Sequence, residues 1–152
     1  MRLASALSER AILQEKSTDL RSRMAINAVV QEGETSPEDV WDLLKVLDSI
    51  IEKYEHILAA INLTNSRTRT AEGVTLTELL SRREALEKRI DALTRLANAA
   101  TENPHRYSRN EIKWFPSISM SELRKVKDET EKQLRILNEQ IQEINWTTDV
   151  IE

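Results

Sequence analysis

The residues best equipped for chemistry gather in one stretch of this 152-residue chain, between Thr101 and Ser119. It holds His105, Arg106, Tyr107, Arg109, Lys113, Trp114 and Phe115, bracketed by Pro104 and Pro116. Two guanidinium groups and an ammonium beside aromatic rings suit a planar anion or a phosphate. The guanidinium fork grips two oxygens at once, and a ring face covers the bound group. The candidate ligand-binding set is therefore Arg106, Tyr107, Arg109, Lys113 and Trp114, with Glu32 and Glu34 as counter-charges. A second reading makes the same stretch a structural cap. The aromatics would close the end of a helical layer, and the arginines would pair with Glu32, Glu34 and Glu111.

Elsewhere the chemistry is sparse. The chain has no cysteine, which excludes disulfides, thiolate metal sites and cysteine nucleophiles. His56 and His105 do not share a metal-ligand spacing. A di-iron bundle site needs Glu-x-x-His, and the position three before His56 is Lys53. Glu52 and His56 stand four apart, but one such pair does not make a metal site. No catalytic residue, metal or cofactor is expected. Arg82, Arg83, Lys88, Arg89 and Arg95 are interleaved with Glu84, Glu87 and Asp91, the pattern of a salt-bridged face rather than a nucleic-acid stripe. The net charge of -4 adds no general attraction for nucleic acid.

The elements that must position these residues are helices. Gly occurs twice and Pro three times, while 39% of residues are hydrophobic and 32% charged. Such a chain has little turn punctuation. Four long amphipathic segments are predicted, over about 2–27, 36–66, 75–101 and 119–146. The second opens with Ser36 as N-cap and Pro37 in the first turn. The third and fourth open with the capping boxes Thr75–Glu78 and Ser119–Glu122. The second carries three apolar positions per heptad, a broad stripe rather than a narrow seam. Leu47, Ile50, Ile57, Leu86, Ile90, Leu137 and Ile141 are the expected core. No internal repeat is evident.

These segments predict an all-α fold, an elongated four-helix up-down-up-down bundle forming one domain over 1–152. In that topology the first and third connections share an end. Ile112 to Ile118 alternates in polarity, and Val29 and Val30 are β-branched, so a short β-like ribbon is expected between the two connections. It would bring Glu32 and Glu34 to Arg106, Arg109 and Lys113. No run reaches the roughly 20 apolar residues of a spanning helix, and the first ten residues lack a signal-peptide core. A cytoplasmic protein without stable membrane insertion is expected.

Five pieces resemble the septicolysin-like family of small helical bacterial proteins: VQEGE at 30–34, INLTN at 61–65, TLTELLSRRE at 75–84, RYSRNEIKW at 106–114 and NWTT at 145–148. The resemblance implies a helical, bacterial, cytoplasmic protein and supplies no catalytic residues. Its name suggests a toxin; the chain's lack of an inserting segment departs from that. The leading functional expectation is a structural or interaction protein that forms a homo-oligomer, coiled-coil-like in its helices. A small-anion binder or enzyme using 101–119 is the rival, and a membrane-active toxin oligomer the third.

Overall fold

The computed structural model describes residues 1–102 and 113–151. Four helices follow in order: α1 (Leu3–Ile26), α2 (Val40–Arg67), α3 (Leu76–Thr101) and α4 (Met120–Thr147). All four expected segments are present, with ends within a few residues. The largest difference is the start of α2. Asp39, not Ser36, is its N-cap, accepting a hydrogen bond from the Trp41 amide at 2.7 Å. The Ser36 hydroxyl is engaged elsewhere, donating to Asn27 Oδ1 at 2.7 Å. At α4 the expected cap forms, with the Glu122 amide donating to Ser119 Oγ at 3.3 Å. α3 begins directly after Thr75, where its capping box was placed.

The chain divides into two compact units. The first is Met1–Thr75 with Ile144–Glu152, and the second is Leu76–Glu143. In the first, α1 packs along α2. Its contact line on α1 runs Leu3, Ala6, Arg10, Leu13, Ser17, Leu20, Met24, Asn27, all buried or half-buried. On α2 it runs Val40, Leu43, Leu47, Ile50, Tyr54, Ile57, Ile61, Thr64. Steps of three and four alternate throughout, keeping one line of side chains on a neighbour. Leu20, Leu43 and Leu47 form a buried cluster, with Met24, Leu44 and Ile50 packed against it.

The same line recurs in the second unit. On α3 it is Leu76, Leu79, Arg83, Leu86, Ile90, Leu93, Ala97, Ala100; on α4 it is Met120, Leu123, Lys127, Thr130, Leu134, Leu137, Ile141, Ile144, the last at the unit boundary. Every α1 position maps on α3 by the shift that takes Leu3 to Leu76. Every α2 position maps on α4 by the shift that takes Val40 to Met120. Identities follow that register: Leu3, Ser8, Arg10, Leu13 and Leu20 match Leu76, Ser81, Arg83, Leu86 and Leu93. Lys45, Val46, Asp48, Ile61 and Asn65 match Lys125, Val126, Asp128, Ile141 and Asn145. α3 and α4 thus repeat the burial register of the α1–α2 hairpin, contrary to the expectation of no repeat. The repeat is faint in sequence because it conserves where a side chain is buried more than which side chain it is.

The ends of the hairpins repeat as well. After α2, Arg69 and Thr75 form an antiparallel bridge, with the Thr70 amide donating to the Val74 carbonyl at 2.8 Å. After α4, Asp149 and Arg2 bridge, and the Val150 amide donates to the Met1 carbonyl at 2.8 Å. One junction is a covalent turn through Gly73, whose φ of 81° favours glycine. The other joins the chain's two ends. It is tightened by the Leu3 amide donating to the Thr148 carbonyl at 2.9 Å and by Arg2–Asp149 at 3.0 Å. The Ile151 amide also donates to the hydroxyl of Thr64 at 2.9 Å, and Thr64 is fully buried.

Of the expected core, Leu47, Ile57, Leu137 and Ile141 are buried. Ile50, Leu86 and Ile90 are half-buried. Ile50 lines open hollows on both flanks of the α1/α2 pair, which explains its partial exposure. The expected ribbon has Ile112 outside the described residues. Within them, 28–35 and 113–118 are turn, bend and coil, and the only bridges are the two at the hairpin junctions.

Candidate functional site

Two places hold the candidate residues, one in each unit. The first is the connection 27–39 between α1 and α2. Its base is a polar clamp. Arg23 Nε donates to Glu38 Oε2 at 3.1 Å and Nη2 donates to Oε1, a fork-to-fork pair. Asn27 Nδ2 donates to the Arg23 carbonyl at 2.9 Å, and Asn27 Oδ1 accepts from Ser36 Oγ and the Glu38 amide. The hydrogen bonds from Arg23 hold the Glu38 carboxyl below the usual carboxylate range, and Glu38 in turn raises Arg23. This clamp, which sequence reasoning missed, fixes the connection against the helices. Its signal was a charge pair at 23 and 38 flanking an Asn and a Ser. Beyond it the chain turns at Gly33, where φ is 85°, and the Glu34 amide donates to the Gln31 carbonyl at 3.0 Å. Glu32 and Glu34 are exposed on this turn, and Val29 nearby in the chain is 81% exposed.

The second place follows α3. Arg106, Tyr107 and Arg109 lie outside the described residues, as does His105. Lys113 and Trp114 are described, and both are exposed. Trp114 lines an open hollow of about 610 Å³ together with Leu96, Ala100, Glu102, Phe115 and Ile118 among others. Its walls are mostly apolar. Glu32 and Glu34 belong to the first unit, Lys113 and Trp114 to the second.

Among the described residues no group of three or more His, Asp or Glu is placed to hold a metal. Glu52 and His56 are both exposed on α2. Three of the five basic residues of α3 pair locally along the helix: Arg83 with Glu87, Lys88 with Glu84 and Arg95 with Asp91, at 2.8–3.9 Å. That is the solvated salt-bridge face expected of them. No described helix is long and apolar enough to cross a membrane.

A family model described as a family of unknown function (DUF6847) matches residues 10–150. The chain belongs to that family. It is also similar to a solved structure, that of a functionally unknown conserved protein from Corynebacterium diphtheriae. The two are 36% identical, the match covers 99% of each chain, and the TM-score is 0.92. No curated protein matches. These relatives bring a fold and no chemistry, so the functional reading rests on the surfaces described above.

Proposed function

We propose that the protein is a structural or interaction protein that acts as a homo-oligomer of paired, coiled-coil-like helical hairpins. One observation carries this reading. The alternating three-and-four line already accounts for every buried residue of the four helices except Asn145. Large apolar side chains nevertheless remain outside it: Ile12, Val46 and Ile51 on the first hairpin, Leu96, Val126 and Ile136 on the second, each 41–54% exposed. Scattered single apolar groups are ordinary, whereas neighbouring ones such as Ile12 and Val46, which line one hollow on a narrow helical pair, mark a contact surface. Light scattering across a dilution series tests the reading. The expected mass is a multiple of 17.5 kDa at micromolar concentrations. A single-chain mass throughout would overturn it.

The finer expectations belong to this reading: an up-down-up-down order of the four helices, a cytoplasmic bacterial setting, and kinship with the septicolysin-like proteins through the five motifs quoted above. A second reading, an anion- or phosphate-binding protein, draws support from the hollow that Trp114 lines, one residue after the exposed Lys113. On that reading, replacing both Arg106 and Arg109 by alanine should abolish any anion-dependent thermal shift while leaving the melting temperature without ligand nearly unchanged. A shift that survives the double change would remove that reading.

A further inference from the structure

We infer that the flank of the α1/α2 hairpin centred on Ile12 and Val46 is where a second copy of this chain docks. The inference rests on the homo-oligomer reading and names its surface. Ile12 and Val46 each stand one position before a buried residue, Leu13 and Leu47, so they sit at the shoulder of the contact line. Both are 50% exposed. Together with Leu20 and Ile50 they line an open hollow of about 490 Å³ running between the helices.

The rim of this hollow decides the occupant. On α1 it carries Glu15 and Lys16, together with Asp19 and Arg23, which pair with each other and, through Arg23, with Glu38. Counted with Glu38 such a rim is net negative, so it attracts neither nucleic acid nor an anionic bilayer. Its Glu15 and Lys16 are self-complementary, however. A copy related by a two-fold axis passing close to them would bring each copy's Lys16 opposite the other's Glu15, with Ile12 and Val46 of both copies buried beside them.

The area suffices. α1 has 24 residues, hence is about 36 Å long, and two packed helices present a face about 20 Å wide. Face-to-face contact would bury roughly 700 Å² per copy, or roughly 1,400 Å² in total, within the range of stable interfaces. The repeat sharpens the assignment to the first hairpin. Val46 is retained in the second as Val126, 41% exposed, but Ile12 and Asp19 become Ala85 and Ala92. Glu15 and Lys16 become Lys88 and Arg89, so only the first hairpin keeps both the apolar pair and the adjacent acid and base.

The test uses the full chain and sedimentation equilibrium. Val46→Glu and Ile12→Glu should each weaken self-association by about 100-fold or more, with the helical circular dichroism unchanged. Ile51→Glu, at 49% exposure on the other flank, should associate as the wild type does. Should the glutamate variants lose their helical signal, the cysteine-free chain gives a second reading. Lys16→Cys should then form a disulfide-linked dimer on mild oxidation, and Ile51→Cys should not. A wild-type chain that is monomeric sinks both this inference and the oligomer reading. A wild-type oligomer that Val46→Glu and Ile12→Glu leave intact, or the crosslinking pattern reversed, overturns this face alone.

Discussion

Replacing Leu47 by alanine probes the register on which the structure rests. Leu47 is 8% exposed and packs in the cluster with Leu20 and Leu43. The change removes three carbons from the interior, a transfer loss of about 2.4 kcal/mol at ~0.8 per carbon. The hole left behind adds a cavity cost, and the usual range for such truncations is about 2–5 kcal/mol. Leu47 lies in a two-helix contact line and its cluster includes the half-buried Leu44 and Ile50, so partial collapse should hold the total to about 3 kcal/mol. Urea unfolding followed by circular dichroism, at one fixed protein concentration because association adds stability, is the assay. With a slope of about 2 kcal/mol per molar, the midpoint should fall by about 1.5 M. Ile51→Ala, in the same helix at 49% exposure, should cost no more than about 0.5 kcal/mol. Equal losses for the two variants, or a Leu47→Ala loss below about 0.5 kcal/mol, would refute the assigned line of contact.

Three further outcomes follow from particular contacts. Glu38→Gln should lower the melting temperature at pH 7. Glu38 has a depressed carboxyl pKa in the fold, so its contribution is present above the unfolded carboxylate range and is lost as pH falls through the folded value. The difference from wild type should therefore vanish in strong acid, and a difference that persists there would exclude the Arg23 pairing as its source. Thr64→Val should cost about 1–3 kcal/mol, because it deprives the Ile151 amide of its acceptor at a fully buried site; a neutral result would mean the C-terminal tail does not dock as described. Gly73→Ala should destabilise by about 1 kcal/mol from strain at φ 81°, with open space around the added carbon, and a stabilised variant would contradict that turn geometry.

Much of the helical content could be read from the chain. The Ser119 cap, the start of α3 after Thr75, and the burial of Leu47, Ile57, Leu137 and Ile141 all follow from local rules of capping and periodicity. The start of α2 did not, because Ser36 and Asp39 can both cap it, and the Ser36 hydroxyl's bond to Asn27 leaves the cap to Asp39. Nor did the repeat. Arg10, Ser17, Lys127 and Thr130 occupy contact-line positions that a count of apolar residues passes over. Lys and Arg can lay an apolar stem along such a line, and the Thr130 hydroxyl donates to the Val126 carbonyl at 2.8 Å, so it is buried without a loss. Of the candidate site, Glu32, Glu34, Lys113 and Trp114 are exposed on the connections between helices, and Trp114, expected to close a helical end, lines an open hollow there. It missed the Arg23–Glu38–Asn27–Ser36 clamp, because its members come together only when α1 and α2 pack.

Sedimentation equilibrium of the unmodified full chain at several micromolar concentrations tests the central proposal most directly. Homo-oligomeric assembly predicts a mass at least twice 17.5 kDa that falls toward 17.5 kDa on dilution or stays at the multiple throughout. A mass of 17.5 kDa at every concentration would contradict it.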